Sequence, residues 1–108
     1  MMDEFTVDQN YQRVYRNLLT KFRDCMGEGW AGAFASFHVV EGLYPDLGEA
    51  EISHMMTNAG TKNYYMHVEI KKVTADKTSV KAYVQLSTWK RQLEKVRPWA
   101  TDPAATCS

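Results

Sequence analysis

Two neighbouring segments, residues 64–71 and 80–86, alternate between apolar and polar side chains, and this alternation constrains the fold more than any other feature. The apolar positions are Tyr64, Met66, Val68, Ile70, Val80, Ala82, Val84 and Leu86. The opposite face is mixed and includes Tyr65 and His67. The polar stretch 74–77 between the segments predicts a hairpin turn. One apolar face and one mixed face are typical of an antiparallel sheet covered on a single side, so the rest of the chain has to supply the cover.

Two upstream segments predict further strands. Residues 30–40 are rich in Ala, Phe and Val, which favours a strand buried on both faces. Residues 49–56 alternate, with Ala50, Ile52 and His54 on one face. Turn-forming residues occupy positions 42–48 and 58–61. Together with the hairpin, these segments predict a four-stranded antiparallel meander.

A helical pattern precedes the strands. Its apolar residues recur at spacings of three and four over about four turns. They are Tyr11, Val14, Tyr15, Leu18, Leu19, Phe22, Cys25 and Met26. Gly27 and Gly29 mark the end of this helix. After the hairpin, Trp89, Leu93 and Val96 are spaced as in a second, short helix, which Pro98 is expected to end.

These elements predict a single α+β domain over residues 1–108. The long N-terminal helix packs on the curved four-stranded sheet, because the apolar stripe of one and the apolar face of the other each need a cover. The short C-terminal helix lies beside it. A chain of 108 residues suits one core. Residues 1–7 are expected to be a flexible N-terminus, and residues 101–108 form a tail.

The chain has two cysteines, Cys25 and Cys107, whose separation fits neither a zinc motif nor a Cys-x-x-Cys redox pair. They are either two unrelated thiols or one disulfide that ties the tail to the first helix. A Pro/Ala/Thr tail is loosely ordered unless something fixes it, which favours the disulfide. Such a bond would place the protein in an oxidising compartment.

Composition and motifs exclude several functional classes. The basic and acidic residues number 13 each, which argues against nucleic acid as a partner. No segment has the roughly 18–20 apolar residues of a membrane helix. The sequence contains no nucleophile elbow, phosphate loop or HExxH motif, so neither catalytic residues nor a cofactor are predicted. The strand pattern places His54 and His67 on opposite faces, so no metal site is predicted either.

Aromatic and methionine residues are more numerous than one small core needs, which is compatible with an adaptable apolar pocket between helix and sheet. The residues predicted to line this pocket are Trp30, Met56, Tyr64, Met66 and Trp89. The alternative is that these side chains simply fill the core. A second predicted surface would contact a partner protein or another copy of the chain. Its residues are Tyr65, Tyr83, Arg13 and Arg16.

Nearly the whole chain, from Tyr11 to Cys107, carries short motifs in a fixed order. They are YRNLL at 15–19, RDC at 23–25, VEGLYPD at 40–46, GEAEI at 48–52, VEI at 68–70, VKAY at 80–83, and the pair Trp99 and Cys107. In this order they resemble the mature domain of small, uncharacterised bacterial lipoproteins of the cell envelope. The resemblance implies a periplasmic or outer-membrane domain, anchored through a lipid on an upstream cysteine that this sequence does not contain. It implies no particular activity.

The sequence therefore predicts a non-enzymatic binding domain of the bacterial cell envelope, in the periplasm or at the outer membrane. Its partner would be a protein or a small apolar ligand. The alternative is a small cytoplasmic ligand-binding α+β domain with an aromatic- and Met-lined pocket, since the chain is also similar to proteins encoded by mobile gene cassettes. The state of the two cysteines separates these hypotheses, because a stable disulfide belongs to an oxidising compartment.

Overall fold

The computed structural model describes residues 1–26, 29–30, 35–85 and 89–107, and of Trp30 only the backbone. The described residues form an α+β domain with one antiparallel sheet. Its strands and helices, in chain order, are β1 (Met2–Val7), α1 (Tyr11–Lys21), a π-helical turn (Phe22–Met26), β2 (Gly29–Trp30), β3 (Ala35–Tyr44), a 3-10 turn (Pro45–Leu47), β4 (Glu49–Asn58), β5 (Thr61–Thr74), β6 (Lys77–Val84) and α2 (Lys90–Thr101).

The sheet corrects the predicted fold. Its described part has six strands in the order β1-β6-β5-β4-β3-β2, so the predicted four-stranded sheet with a long N-terminal helix is wrong. Strands β3 to β6 follow one another as the predicted meander does, but the sheet has a further strand at each end: β2 pairs with β3, and β1 pairs with β6, with Phe5 opposite Val80. The segment expected to be flexible is thus an edge strand. The first helix is the second element, and only its 11 residues up to Lys21 are α-helical.

Strand β3 differs from its prediction in burial and length. Val39 is buried, but His38 and Val40 are exposed, so the expected burial on both faces is wrong. The strand also continues to Tyr44, into the segment predicted as a turn. The predicted helix stop at Gly27, positions 31–34 of the predicted strand, and the strand end at Leu86 lie outside the described residues.

Both helices cover one face of the sheet, as the apolar patterns predict. Val14 and Leu18 of α1, together with Phe22 of the π-helical turn that follows it, are completely buried against this side. We call the side beneath the helices the covered face. Its fully or almost fully buried sheet residues are Ala50, Ile52, Met66, Val68, Ile70, Val80, Ala82 and Val84. The other side, the open face, carries alternating residues such as Ser53, His67, Glu69, Lys81 and Tyr83.

Helix α2 does not end at Pro98. The helix continues to Thr101, whose hydroxyl donates a hydrogen bond to the Arg97 carbonyl at 3.0 Å. Trp99 and Ala100 are buried, and the Trp99 ring packs edge-on against Phe22 with 6.1 Å between centroids. Burial of these two side chains explains why the last turn persists although a proline inside a helix removes one backbone donor.

The C-terminal tail is tied to the first helix, which confirms the predicted Cys25–Cys107 disulfide. The two Cα atoms lie 5.2 Å apart. Two hydrogen bonds hold the same segment, because Lys21 Nζ donates to the Ala105 carbonyl and Trp99 Nε1 donates to the Thr106 carbonyl. The bond closes a loop across a sequence separation of 82. Loop-closure entropy makes such a link worth about 4–5 kcal/mol.

Neither helix in the described ranges combines the length and the apolar character that crossing a membrane requires.

Candidate functional site

A β-bulge in β5 changes which side chains share a face. His54 pairs with Met66, but the next residue, Met55, pairs with Tyr64, so Tyr65 is an extra residue in β5. An extra residue shifts the alternation by one position beyond the bulge. Tyr65 therefore joins Met66 on the covered face, and Tyr64 joins His67 on the open face. The sequence pattern assigned both tyrosines to the opposite faces, whereas its placement of Met66 and His67 is confirmed.

On the covered side, four rings form what we call the aromatic cluster: Phe37, His54, Tyr65 and Trp89. The Phe37 and His54 rings are parallel with centroids 5.5 Å apart, and the Tyr65 and Trp89 rings stack at 4.7 Å. The His54 ring lies 6.1 Å from both Tyr65 and Trp89. The Tyr65 hydroxyl also donates a hydrogen bond to Met56 Sδ at 3.5 Å. The bulge thus allows Tyr65 to connect three strands of the sheet with the start of α2.

On the open side, Tyr64 and Tyr83 flank a cleft of about 400 Å³, which we call the tyrosine cleft. His67 and Tyr65 also line it, and the Met2 side of β1 closes one end. The Tyr83 and His67 rings stack at 6.3 Å. The cleft wall is therefore mainly aromatic and apolar, with ring nitrogens and hydroxyls as its polar groups. Such a wall suits an apolar ring more than a charged group.

A Ser–His–Glu arrangement lies beside the cleft. Ser53 Oγ is 2.7 Å from His67 Nδ1, and His67 Nε2 is 3.8 Å from Glu69 Oε1. Ser53 is only 8% exposed, and β4 is paired on both sides, so the neighbouring backbone amides belong to the sheet. A nucleophilic serine needs access and donors for an oxyanion. This arrangement instead orients the His67 ring against Tyr83.

The three histidines occupy separate positions. His38 accepts or donates a 2.7 Å hydrogen bond with Ser36, His67 contacts Ser53, and His54 is buried in the aromatic cluster. Within the described ranges, no three His, Cys, Asp or Glu side chains are grouped so that they could hold a metal ion.

The residues predicted to line one pocket lie on both sides of the sheet. Met56 and Trp89 adjoin Tyr65 in the aromatic cluster, and Met66 is buried beside it in the core. Tyr64, by contrast, is 46% exposed on the open face. Of Trp30, only the backbone in β2 belongs to the described residues. Tyr64 and Met66 both line the tyrosine cleft, but no residue of α1 does, so this cleft is not the pocket expected between the first helix and the sheet.

The residues predicted to form one contact face are also divided. Tyr83 lies on the open face, whereas Tyr65 packs in the aromatic cluster. Arg13 and Arg16 are exposed on α1, in the helix layer, where they line a polar cleft of about 910 Å³. Asp8 and Asp76 line the same cleft, so its charges are balanced. Sequence reasoning could not group Tyr64 with Tyr83, because the bulge that brings them to one face leaves no sign in the alternation.

A scan against protein-family models found no match for this chain, and a search of curated proteins found none either.

Proposed function

We propose that this chain is a non-catalytic binding domain of the bacterial cell envelope that accepts an apolar, ring-bearing group in the tyrosine cleft. The observation that carries the proposal is the cleft itself. Its volume of about 400 Å³ falls in the range of small-molecule sites, which is roughly 300–1,000 Å³. Tyr64 and Tyr83 supply ring faces and edges, and His67 adds a polar atom that can orient a ligand.

The chemistry around the cleft favours binding over turnover. The Ser53 hydroxyl, the candidate nucleophile of the Ser–His–Glu arrangement, is buried and hydrogen-bonded to His67. Aromatic rings stacked on one another lose little freedom when a ligand ring packs against them, so they are well suited to recognition. The stacked His67 and Tyr83 rings already have this arrangement.

The disulfide supports the cell-envelope part of the proposal. Disulfides persist in oxidising compartments such as the periplasm and are rare in the cytosol. Cys25 and Cys107 are bonded, and the hydrogen bonds from Lys21 and Trp99 hold the tail in the same place. The resemblance to lipoprotein domains agrees with a periplasmic or outer-membrane location.

The binding proposal is tested with anilinonaphthalene sulfonate, a fluorescent probe with apolar rings. We expect saturable binding to the purified chain, with amide NMR shifts concentrated in residues 63–67 and 83–85. Replacing Tyr64 or Tyr83 by alanine should weaken binding about two- to tenfold, because each ring contact contributes about 0.5–1.5 kcal/mol.

The matched control is Tyr44→Ala, because Tyr44 is 44% exposed on the same face of the sheet but does not line the cleft. This variant should bind the probe like the unmodified chain. Equal affinity of the Tyr64, Tyr83 and Tyr44 variants, or NMR shifts spread over the whole sheet, would overturn the proposed site.

A further inference from the structure

The two edges of the sheet differ in how well they are protected from strand pairing. Edge strand β1 carries charges that are held in place: Arg97 donates to both carboxylate oxygens of Asp3 at 2.8 Å, and Glu4 lies 3.4 Å from Lys81 Nζ. Short, charged edge strands discourage association with another sheet. The opposite edge has a different character.

At that edge, β2 pairs only with Ser36 and Phe37 of the ten-residue strand β3. Among the described residues, no strand pairs with the outer edge of positions 40–44. Val40, Leu43 and Tyr44 in this stretch are 48%, 40% and 44% exposed. An exposed apolar edge strand is a template for another strand. Leu47, at the end of the 3-10 turn that follows the strand, is also an exposed apolar residue.

We propose that two copies of this chain associate through antiparallel pairing of residues 40–44, centred on Gly42. In such a pair, opposite residues must point to the same face, so a two-fold axis perpendicular to the sheet passes between two identical residues. With Gly42 opposite the partner's Gly42, Val40 lies opposite the partner's Tyr44. This register pairs residues 40–44 of one copy with residues 40–44 of the other and involves no residue beyond them.

The two neighbouring registers are less favourable. Centring the pair on Glu41 would place two carboxylates directly opposite each other, which is destabilising. Centring it on Leu43 would bring Pro45, which has no backbone N–H, opposite Glu41. In the Gly42 register, the Glu41 carboxylate keeps its own partner, because Arg23 Nη2 donates to it at 2.9 Å.

Gly42 also suits the centre of the interface sterically. The Tyr44 ring lies over it, so that a Cβ at position 42 would come within 3.0 Å of the ring's Cζ atom. Tyr44 is held there because its hydroxyl donates to Glu51 Oε1 at 2.9 Å. The ring that the partner's Val40 would meet is therefore already ordered. The interface is independent of the tyrosine cleft, which lies between β1, β6 and β5.

Sedimentation equilibrium of the unmodified chain tests the association. We expect a mass about twice 12.4 kDa at protein concentrations of tens of micromolar. Val40→Lys should raise the dissociation constant at least tenfold, because it places a charge in the pairing surface. The control is Val73→Lys, since Val73 is 54% exposed on β5, away from this edge, and should leave the dimer unchanged. A monomer at several hundred micromolar, or equal effects of the two lysines, would overturn the inference.

A cross-link tests the register without relying on the lysine variant. Val40→Cys combined with Tyr44→Cys places two thiols about 13 Å apart within one strand, too far for an internal bond. The Gly42 register brings each next to its counterpart on the second copy. Mass spectrometry under non-reducing conditions should find peptides joined between positions 40 and 44 of two chains. Absence of this cross-link under mild oxidation would exclude the register.

Discussion

The two faces of the sheet show that residues of the same type contribute differently to stability and to binding. Tyr64 and Tyr65 are neighbours in sequence, but Tyr65 stacks on Trp89 under the helix layer, whereas Tyr64 is exposed on the open face. The covered face is closed by two helices and by a tail that the disulfide fixes. The open face has a cleft and surface hydrogen bonds. We infer that stability is concentrated on the covered face and that binding capacity lies on the open face.

The largest effect is expected from a ring at the centre of the covered side. Trp99→Ala should lower the free energy of unfolding by about 3–5 kcal/mol, because a completely buried ring is replaced by a cavity. The variant also lacks the hydrogen bond that the Trp99 indole donates to the Thr106 carbonyl. Urea denaturation measures the change. Tyr83→Ala on the open face is the control, expected to cost about 1 kcal/mol or less. Similar losses in both variants would contradict the division between the faces.

Removal of the disulfide should have the next largest effect on the free energy of unfolding. Cys25→Ser and Cys107→Ser should each cost about 2–5 kcal/mol in unfolding free energy, because either change opens the same loop. The double variant should be no less stable than the single variants, since only one bond is lost. Thermal unfolding of all three variants, together with the unmodified chain in dithiothreitol, measures this. Additive losses would mean that each cysteine stabilises the fold separately.

The bulge provides a sharper comparison between adjacent residues. Tyr65→Ala should cost about 1–3 kcal/mol, because it removes the stacking on Trp89 and the contact with His54. Tyr64→Ala should stay within about 0.5 kcal/mol, as surface changes usually do. Fluorescence emission from Trp89 should shift only in the Tyr65 variant. If Tyr64→Ala were the more destabilising change, the assignment of faces at the bulge would be reversed.

These comparisons also explain which parts of the structure were accessible from sequence. The helix stripe, the hairpin and the covered face follow from local periodicity, and the disulfide follows from the tail that it fixes. Strand β1 escaped prediction because its stability comes from pairing with residues more than 70 positions away, while Asp3 and Glu4 obscure its alternation. The bulge was not predicted because the alternation of apolar and polar residues over 64–71 shows no interruption. The predicted helix end at Pro98 was wrong because the burial of Trp99 and Ala100 outweighs the tendency of proline to end a helix.

The smallest expected effect concerns the Asp3–Arg97 ion pair, which joins β1 to α2. The hydrogen bonds from Arg97 lower the pKa of the Asp3 carboxyl below its ordinary value of 3.8. The unfolded chain therefore takes up this proton at a higher pH than the folded chain does. The stabilisation is complete above about pH 4 and is lost as the pH falls through the lowered pKa.

Asp3→Asn should remove this contribution and flatten the dependence of stability on pH below about 4, with little change in cooperativity. Urea unfolding between pH 2 and 6 measures the profile. The control is Asp76→Asn, because Asp76 is an exposed aspartate in the turn between β5 and β6, and it should leave the shape of the profile unchanged. If Asp3→Asn also left the profile unchanged, β1 would be held by its backbone pairing with β6 alone, and its charges would serve only to protect the edge.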